Sequence, residues 1–160
     1  DGKIWISELQ GNRIVSFDPS TGGFEAFTLP TPWSGPRRFD IAPDGVLWIP
    51  AYAANRLVRF DPASKKFREY ELPIRDSVPY IARVDAGTGI IWIGTAAADV
   101  LYRFDPKTET FTAWGLPTRG ATVRHLTSDP RNHDVWLAYG ASPAIHPARV
   151  ARFRLNATGD

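Results

Sequence analysis

The sequence contains no cysteine and no methionine among its 160 residues, and no apolar run approaches the ~20 residues of a membrane-spanning helix. The absence of cysteine excludes disulfides and thiolate metal sites, and it fits an oxidising compartment without free thiols. An excess of charge is also absent, because 19 Lys and Arg against 17 Asp and Glu give a net charge of +2. The basic residues are scattered and form no stripe, so nucleic-acid binding is disfavoured.

What the sequence does contain is an internal repeat. Tryptophan recurs every 43–44 residues, at Trp5, Trp48, Trp92 and Trp136. In the first three units a Phe-Asp-Pro triplet begins twelve residues after the tryptophan, at Phe17, Phe60 and Phe104. A Leu-Pro pair closes each of these units, at Leu29-Pro30, Leu72-Pro73 and Leu116-Pro117. Several landmarks in one register indicate one structural unit repeated along the chain, with units of about 1–35, 36–78, 79–122 and 123–160.

Each unit is predicted to be a four-stranded antiparallel sheet. The second unit has β-rich runs separated by turn residues, at Arg37–Ala42, Val46–Pro50, Arg56–Asp61 and Phe67–Leu72. Pro43-Asp44-Gly45 and the Asp-Pro pairs have the residues that turns prefer, and no segment shows helical periodicity. The pattern predicts an all-β protein, a β-propeller with a blade every 43–44 residues.

The repeated aromatic residues are predicted to be core. Because neighbouring blades pack face to face, the four tryptophans are expected at equivalent buried places between blades. The chain has about four blades, of which the first lacks its innermost strand and the last lacks its outermost strand. Since propellers typically close with four to eight blades, we expect either a larger propeller of which this is a part or a second chain that completes it.

The units resemble those of the streptogramin B lyase (virginiamycin B lyase) family. The resemblance rests on Asp1-Gly2-Lys3-Ile4-Trp5-Ile6-Ser7-Glu8, Gly11-Asn12-Arg13-Ile14 and Phe24-Glu25-Ala26-Phe27-Thr28-Leu29-Pro30. Asn55-Arg56-Leu57 and Phe67-Arg68-Glu69-Tyr70-Glu71-Leu72-Pro73 repeat these motifs in the second unit. The resemblance implies a seven-bladed propeller of largely bacterial occurrence, with functional groups at the mouth of the central channel.

The same resemblance implies what this segment lacks. The family's lyase opens a cyclic depsipeptide with Mg²⁺ and a histidine base, and several of those groups follow a proline at the start of innermost strands. The equivalent pairs here are Pro36-Arg37, Pro79-Tyr80 and Val123-Arg124, none with histidine. We therefore expect no catalytic residue and no metal ligand or cofactor in this segment. Mg²⁺ would belong to the complete protein if that protein is a lyase with catalytic blades outside this chain.

Candidate binding residues lie at the predicted channel mouth. Arg37, Tyr80 and Arg124 occupy one position in three successive units, where they either bind an anionic or planar partner or pair with neighbouring blades. Further candidates for the mouth are Glu8, Tyr139 and His146. Arg38 and His125 come one position later and are expected to point away from the channel.

Three functions remain open at this stage. The first is a non-catalytic propeller that binds a protein, or a small anionic or aromatic ligand, at its channel face, within a larger assembly. The second is an Mg-dependent carbon–oxygen lyase of the streptogramin type. The third is a lactonase-like, metal-dependent hydrolase, which needs a Glu/Asn/Asp metal set that is not evident here. We expect a periplasmic or extracellular location.

Overall fold

The fold consists of antiparallel sheets built on the predicted repeat. The computed structural model describes residues 2–141 and 147–155, and within these ranges the chain forms four sheets and no helix. The described residues therefore include no helix that could span a membrane. The first sheet contains β1 (Ile4–Glu8), β2 (Arg13–Asp18) and β3 (Gly23–Thr28). The second contains β4 (Asp40–Ile41), β5 (Leu47–Ala51), β6 (Arg56–Asp61) and β7 (Lys66–Glu71).

The third and fourth sheets continue the same order. The third contains β8 (Pro79–Val84), β9 (Ile91–Thr95), β10 (Val100–Asp105) and β11 (Thr110–Gly115). The fourth contains β12 (Thr122–Ser128), β13 (Val135–Gly140) and β14 (Arg149–Phe153). Within each sheet, strands adjacent in sequence pair antiparallel. The all-β blade prediction is confirmed, including the three-stranded first and last sheets.

The innermost strand of the second sheet is shorter than predicted. The sequence predicted a strand over Arg37–Ala42, whereas the ladder of β4 spans only Asp40–Ile41. The preceding backbone pairs with the neighbouring blade: Arg38 forms a parallel bridge with Ile81, and the amide of Ala82 donates to the carbonyl of Arg38 at 2.9 Å. The inner strands of blades two and three are thus joined directly near the channel.

The core lies between the blades in three separate clusters, one at each blade-to-blade interface. Trp48 is typical, because it belongs to the second sheet but packs on the third, with its ring centroid 5.6 Å from that of Phe104. Trp92 of the third sheet likewise packs on the fourth, with its ring centroid 5.7 Å from that of Phe153. These two tryptophans therefore fill the space between their own blade and the next.

Equal burial of the four tryptophans, as predicted from the repeat, is wrong for Trp5, which is half-buried, and for Trp136. Trp48 and Trp92 are buried, with 4% and 1% of their surface exposed, whereas Trp136 is 40% exposed. The reason is the direction of packing, since Trp136 faces outward from the last described sheet. At the other end of the arc, Ile4 and Ile6 of the first sheet are 53% and 41% exposed. The outer faces of the first and last sheets therefore carry the same residue types as the interfaces between blades. No described blade packs against either of these faces.

The repeated Asp-Pro pairs form turns, as predicted. The side-chain oxygen of Asp18 accepts from the amide of Ser20 at 2.9 Å, and Asp105 accepts from the amide of Lys107 at the same distance. Asp61 accepts from the amide of Ala63 at 3.0 Å. Hydrogen bonds from Ser20 and Ser64 lower the pKa of Asp18 and Asp61. The repeated carboxylates are explained by turn geometry.

Candidate functional site

The channel mouth is the end of the sheets at which the innermost strands begin, and a β-bulge recurs there. In the third sheet Pro79 pairs with Thr95 and Ile81 with Gly94, which leaves Tyr80 as the extra residue. In the fourth sheet Val123 pairs with Tyr139 and His125 with Ala138, which leaves Arg124 as the extra residue. A bulge re-aims a side chain that a regular strand would place on one face of the sheet.

The loops that lead from one blade to the next are fixed behind the mouth by a repeated hydrogen bond. The side-chain oxygen of Asn12 accepts from the amide of Ser34 at 2.8 Å, and that of Asn55 accepts from the amide of Ser77 at 2.9 Å. Asp99 accepts from the amide of Ala121 at 2.6 Å. Asn12, Asn55 and Asp99 have φ values of 53°, 54° and 51°, in the left-handed region that Asn and Asp tolerate well. We call these three contacts the inter-blade latches.

Arg37 lies in a corner formed by two tyrosine rings. Its guanidinium carbon is 4.6 Å from the ring centroid of Tyr52 and 4.2 Å from that of Tyr80. The two rings are 6.2 Å apart and nearly perpendicular, with an interplanar angle of 72°. Two cation–π contacts hold the guanidinium in place. Tyr52 was not among the predicted residues, and its only signal in the sequence is an aromatic residue directly after the second strand of its blade.

Arg38 joins this cluster, contrary to the expectation that it points away from the channel. Its guanidinium carbon is 5.4 Å from the ring centroid of Tyr80, and its Nη1 donates to the backbone carbonyl of Arg124 at 2.7 Å. The parallel bridge to Ile81 brings the side chain of Arg38 towards the third and fourth blades. His125 is exposed beside this cluster.

The mouth has positive charge without matching carboxylates. Within the described residues, Arg37, Arg38 and Arg124 take part in no ion pair, whereas Arg56 is 2.7 Å from Glu69 and Arg13 is 2.6 Å from Glu8. Arginine without an acidic partner is suited to binding an anion. The structure thus brings Arg37 and Tyr80 together and adds Tyr52 and Arg38. Arg124 is joined to this cluster through its backbone carbonyl.

Three other candidates occupy different places. Glu8 lies at the end of β1, where its carboxylate pairs with Arg13 on the neighbouring strand. Tyr139 is 5% exposed and belongs to the cluster between the third and fourth blades, with its hydroxyl 3.4 Å from that of Thr118. His146 lies outside the described residues. The structure does not bring Glu8 or Tyr139 into contact with the Arg37 cluster.

The described residues at the mouth do not fit Mg²⁺. That ion prefers carboxylate and other oxygen ligands, whereas the side chains here are guanidiniums and phenols. Within residues 2–141 and 147–155, no group of three or more His, Asp or Glu side chains could hold a metal. Neither lyase nor lactonase metal chemistry can therefore be assigned to these residues.

The sequence profile of the virginiamycin B lyase family matches residues 1–153. The chain belongs to this family. Among curated proteins, no sequence matches it significantly. The match covers nearly the whole chain, from the first blade through β14. It therefore includes the repeat as well as the residues of the mouth.

Solved structures share the fold. A streptogramin B lyase superposes with a TM-score of 0.80 at 23% identity, covering 99% of this chain and 54% of the other. The virginiamycin B lyase of Staphylococcus aureus gives 0.78 at 22% identity, with the same coverage. Hydrazine synthase of Kuenenia stuttgartiensis gives 0.81 at 13% identity, covering 99% and 44%. The chain spans about half the length of the lyases it matches.

One residue at the mouth has an unfavourable backbone conformation. Val78, which precedes the bulge of the third sheet, has a φ of 55°, where a β-branched residue is strained. The equivalent residue of the second blade is Gly35, with a φ of 63°. Val78→Gly is expected to raise the free energy of unfolding by about 1 kcal/mol, measured by urea denaturation, because glycine relieves the strain.

The reciprocal change at Gly35 is the control for this prediction. A Cβ added there would be 3.4 Å from Leu9 Cδ1, an ordinary contact, so Gly35→Ala tests backbone strain without a clash. We expect Gly35→Ala to lower stability by about 1–2 kcal/mol. A loss of stability in Val78→Gly would show that side-chain packing outweighs strain at this site.

Proposed function

We propose that this segment of the propeller binds an anionic group of a protein or small-molecule partner at its channel mouth and supplies no catalytic residue of its own. The observation that carries the proposal is that Arg37, Arg38 and Arg124 form no ion pair among the described residues, while Tyr52 and Tyr80 hold the guanidinium of Arg37. A guanidinium that is already oriented loses little conformational freedom on binding, and its N–H groups match a carboxylate or phosphate.

The chemistry of the cluster favours binding over catalysis. A guanidinium stays protonated in proteins and cannot act as a general base. The aromatic corner adds a surface for an apolar or aromatic part of the same ligand, next to the charge. A carboxylate attached to an aromatic ring therefore fits the site better than either group alone. The absence of cysteine supports a periplasmic or extracellular place of action, which is part of the proposal.

Charge removal at the mouth tests this function. We expect the double variant Arg37→Ala, Arg124→Ala to bind benzoate at least about tenfold more weakly, measured by calorimetry, because charged hydrogen bonds are lost. The difference should be larger at low salt, where charge attraction is least screened. Benzamide, which has the ring without the charge, should bind both proteins weakly and equally.

Arg68→Ala is the control for charge lost elsewhere, because it removes one positive charge from β7, where Arg68 pairs with Glu109 away from the mouth. Its affinity for benzoate should equal that of the unmodified chain. An unchanged affinity in the double variant, or an equal loss in Arg68→Ala, would exclude the mouth as the binding site.

A second candidate function is supported by family membership. The complete protein would be an Mg-dependent lyase acting on a cyclic depsipeptide, with its base and metal ligands in blades outside this chain. Elimination needs a base at the proton removed and a cation near the developing charge, and the described mouth residues fit neither role. We therefore expect no magnesium-dependent ring opening by this chain in a chromatographic assay. Turnover by this chain would contradict the proposal that it only binds.

A further inference from the structure

A second candidate site lies at the opposite end of the sheets from the channel mouth. A cavity of about 270 Å³ opens there between the third and fourth blades. Asp85 and His133 line it from the turns that follow β8 and β12, and Trp92, Arg103 and Lys107 line it from the third blade. It has no residue in common with the mouth, so its function would be independent of the function proposed above.

Two buried hydrogen-bond donors in this cavity are without a partner. Trp92 is 1% exposed, and neither its Nε1 nor the Nε of Arg103 has an acceptor among the described residues. The two residues are cross-strand partners on β9 and β10, so their side chains lie next to each other on one face of the sheet. A buried polar group without a hydrogen bond is unfavourable and calls for an explanation, such as a bound ligand.

The acceptors in the cavity, in contrast, are already satisfied. The carboxylate of Asp85 is 2.9 Å from Nδ1 of His133 and accepts from the amide of Gly87 at 3.0 Å. Asp105 accepts from the amide of Lys107 at 2.9 Å and lies 3.5 Å from Nη2 of Arg103. The cavity thus has a surplus of donors, and the ammonium group of exposed Lys107 has no ion-pair partner among the described residues.

We propose that this cavity binds a small oxyanion, a carboxylate or a phosphate. The N–H groups of Trp92 and Arg103 would donate to the oxyanion, and Lys107 would add positive charge at the opening. One of the two donors belongs to a cation, which favours a charged oxygen over a neutral carbonyl.

The interface between the second and third blades provides an internal comparison. Its cavity, of about 340 Å³, contains the equivalent pair Trp48 and Arg59. Neither Trp48 Nε1 nor Arg59 Nε is among the buried atoms that have no partner within the described residues. Two buried donors without a partner among the described residues therefore occur together in the Trp92 cavity and not in the neighbouring one.

The indole N–H resonances of the tryptophans test the proposal by NMR. They are assigned with Trp92→Phe and Trp48→Phe, and the chain is titrated separately with acetate and with inorganic phosphate. We expect a saturable shift of the Trp92 resonance with at least one anion and none for Trp48. The anion that saturates at lower concentration identifies the class of ligand.

Two variants in the cavity and one control variant test which side chains bind the anion. Arg103→Met should lower the affinity for the saturating anion about tenfold, whereas Arg59→Met should leave that affinity unchanged. Lys107→Gln changes an exposed side chain and should weaken binding about twofold to threefold without affecting folding. A Trp92 resonance that moves only linearly, or together with all other indoles, would show that water satisfies the donors and would overturn the proposal. Unchanged affinity in both Arg103→Met and Lys107→Gln would also overturn it.

Discussion

Trp48→Ala is expected to lower the free energy of unfolding by about 3–5 kcal/mol, the cost of removing a buried large aromatic residue. Trp48 is 4% exposed and contacts Tyr70 of its own blade and Phe104 of the next, at 6.1 and 5.6 Å between ring centroids. Its removal would leave a cavity at the interface between blades two and three, where rigid sheets on both sides limit relaxation. Urea denaturation followed by circular dichroism measures the loss.

Trp136→Ala is the matched control, since the same residue at the equivalent place of the last blade is 40% exposed. We expect a loss of about 60% of that of Trp48→Ala, in proportion to the smaller buried area. Equal losses in the two variants would mean that the terminal face is covered in solution. A denaturation midpoint for Trp48→Ala close to that of the unmodified chain would contradict the packing described here.

Gly94→Ala is expected to destabilise the chain by about 1–3 kcal/mol, although it adds only one methyl group. A Cβ at Gly94 would lie 2.5 Å from Cγ1 of Val123 and 3.0 Å from Cγ2 of Ile81. Val123 and Ile81 are fully buried between the third and fourth blades, so neither can move aside without shifting an inner strand. The denaturation midpoint should fall, and Gly94→Val should lower it further.

Gly115→Ala is the control for this second variant. Gly115 also lies in a strand of the third sheet, but a Cβ there would meet nothing within 4 Å. Its replacement should be neutral or slightly stabilising, because alanine restricts the unfolded chain more than glycine does. If Gly94→Ala were as harmless as Gly115→Ala, the two inner strands would be further apart than the structure shows.

The fold could be predicted from the sequence because the repeat is strong. Trp, Phe-Asp-Pro and Leu-Pro each mark a fixed place in the blade, and strands, turns and the incomplete first and last sheets follow from their spacing. Burial of Trp136 could not be predicted in this way, since it depends on whether another blade packs against it. The repeat predicts the place of each tryptophan within its blade, but the exposure of its side chain depends on whether another blade covers it.

The candidate site was predicted only in part. Arg37, Tyr80 and Arg124 were identified from their shared position, but the bulges that re-aim Tyr80 and Arg124 leave no mark in hydrophobic alternation. Arg38 was expected to point away from the channel, but its backbone pairs with the neighbouring blade and its side chain lies against Tyr80. Tyr52 comes from a loop with a different residue in each unit, so the repeat gave no reason to select it.

The inter-blade latches fix the backbone of the mouth through contacts that do not involve its candidate binding side chains. Asn12, Asn55 and Asp99 accept from backbone amides of the loops that lead to the next blade, and none of these contacts involves the side chain at the bulge. Residues such as Arg37, Tyr80 and Arg124 can therefore be exchanged without altering the loops that present them. A propeller built in this way can acquire a new specificity one blade at a time, and a lyase and a binding protein can share the same framework.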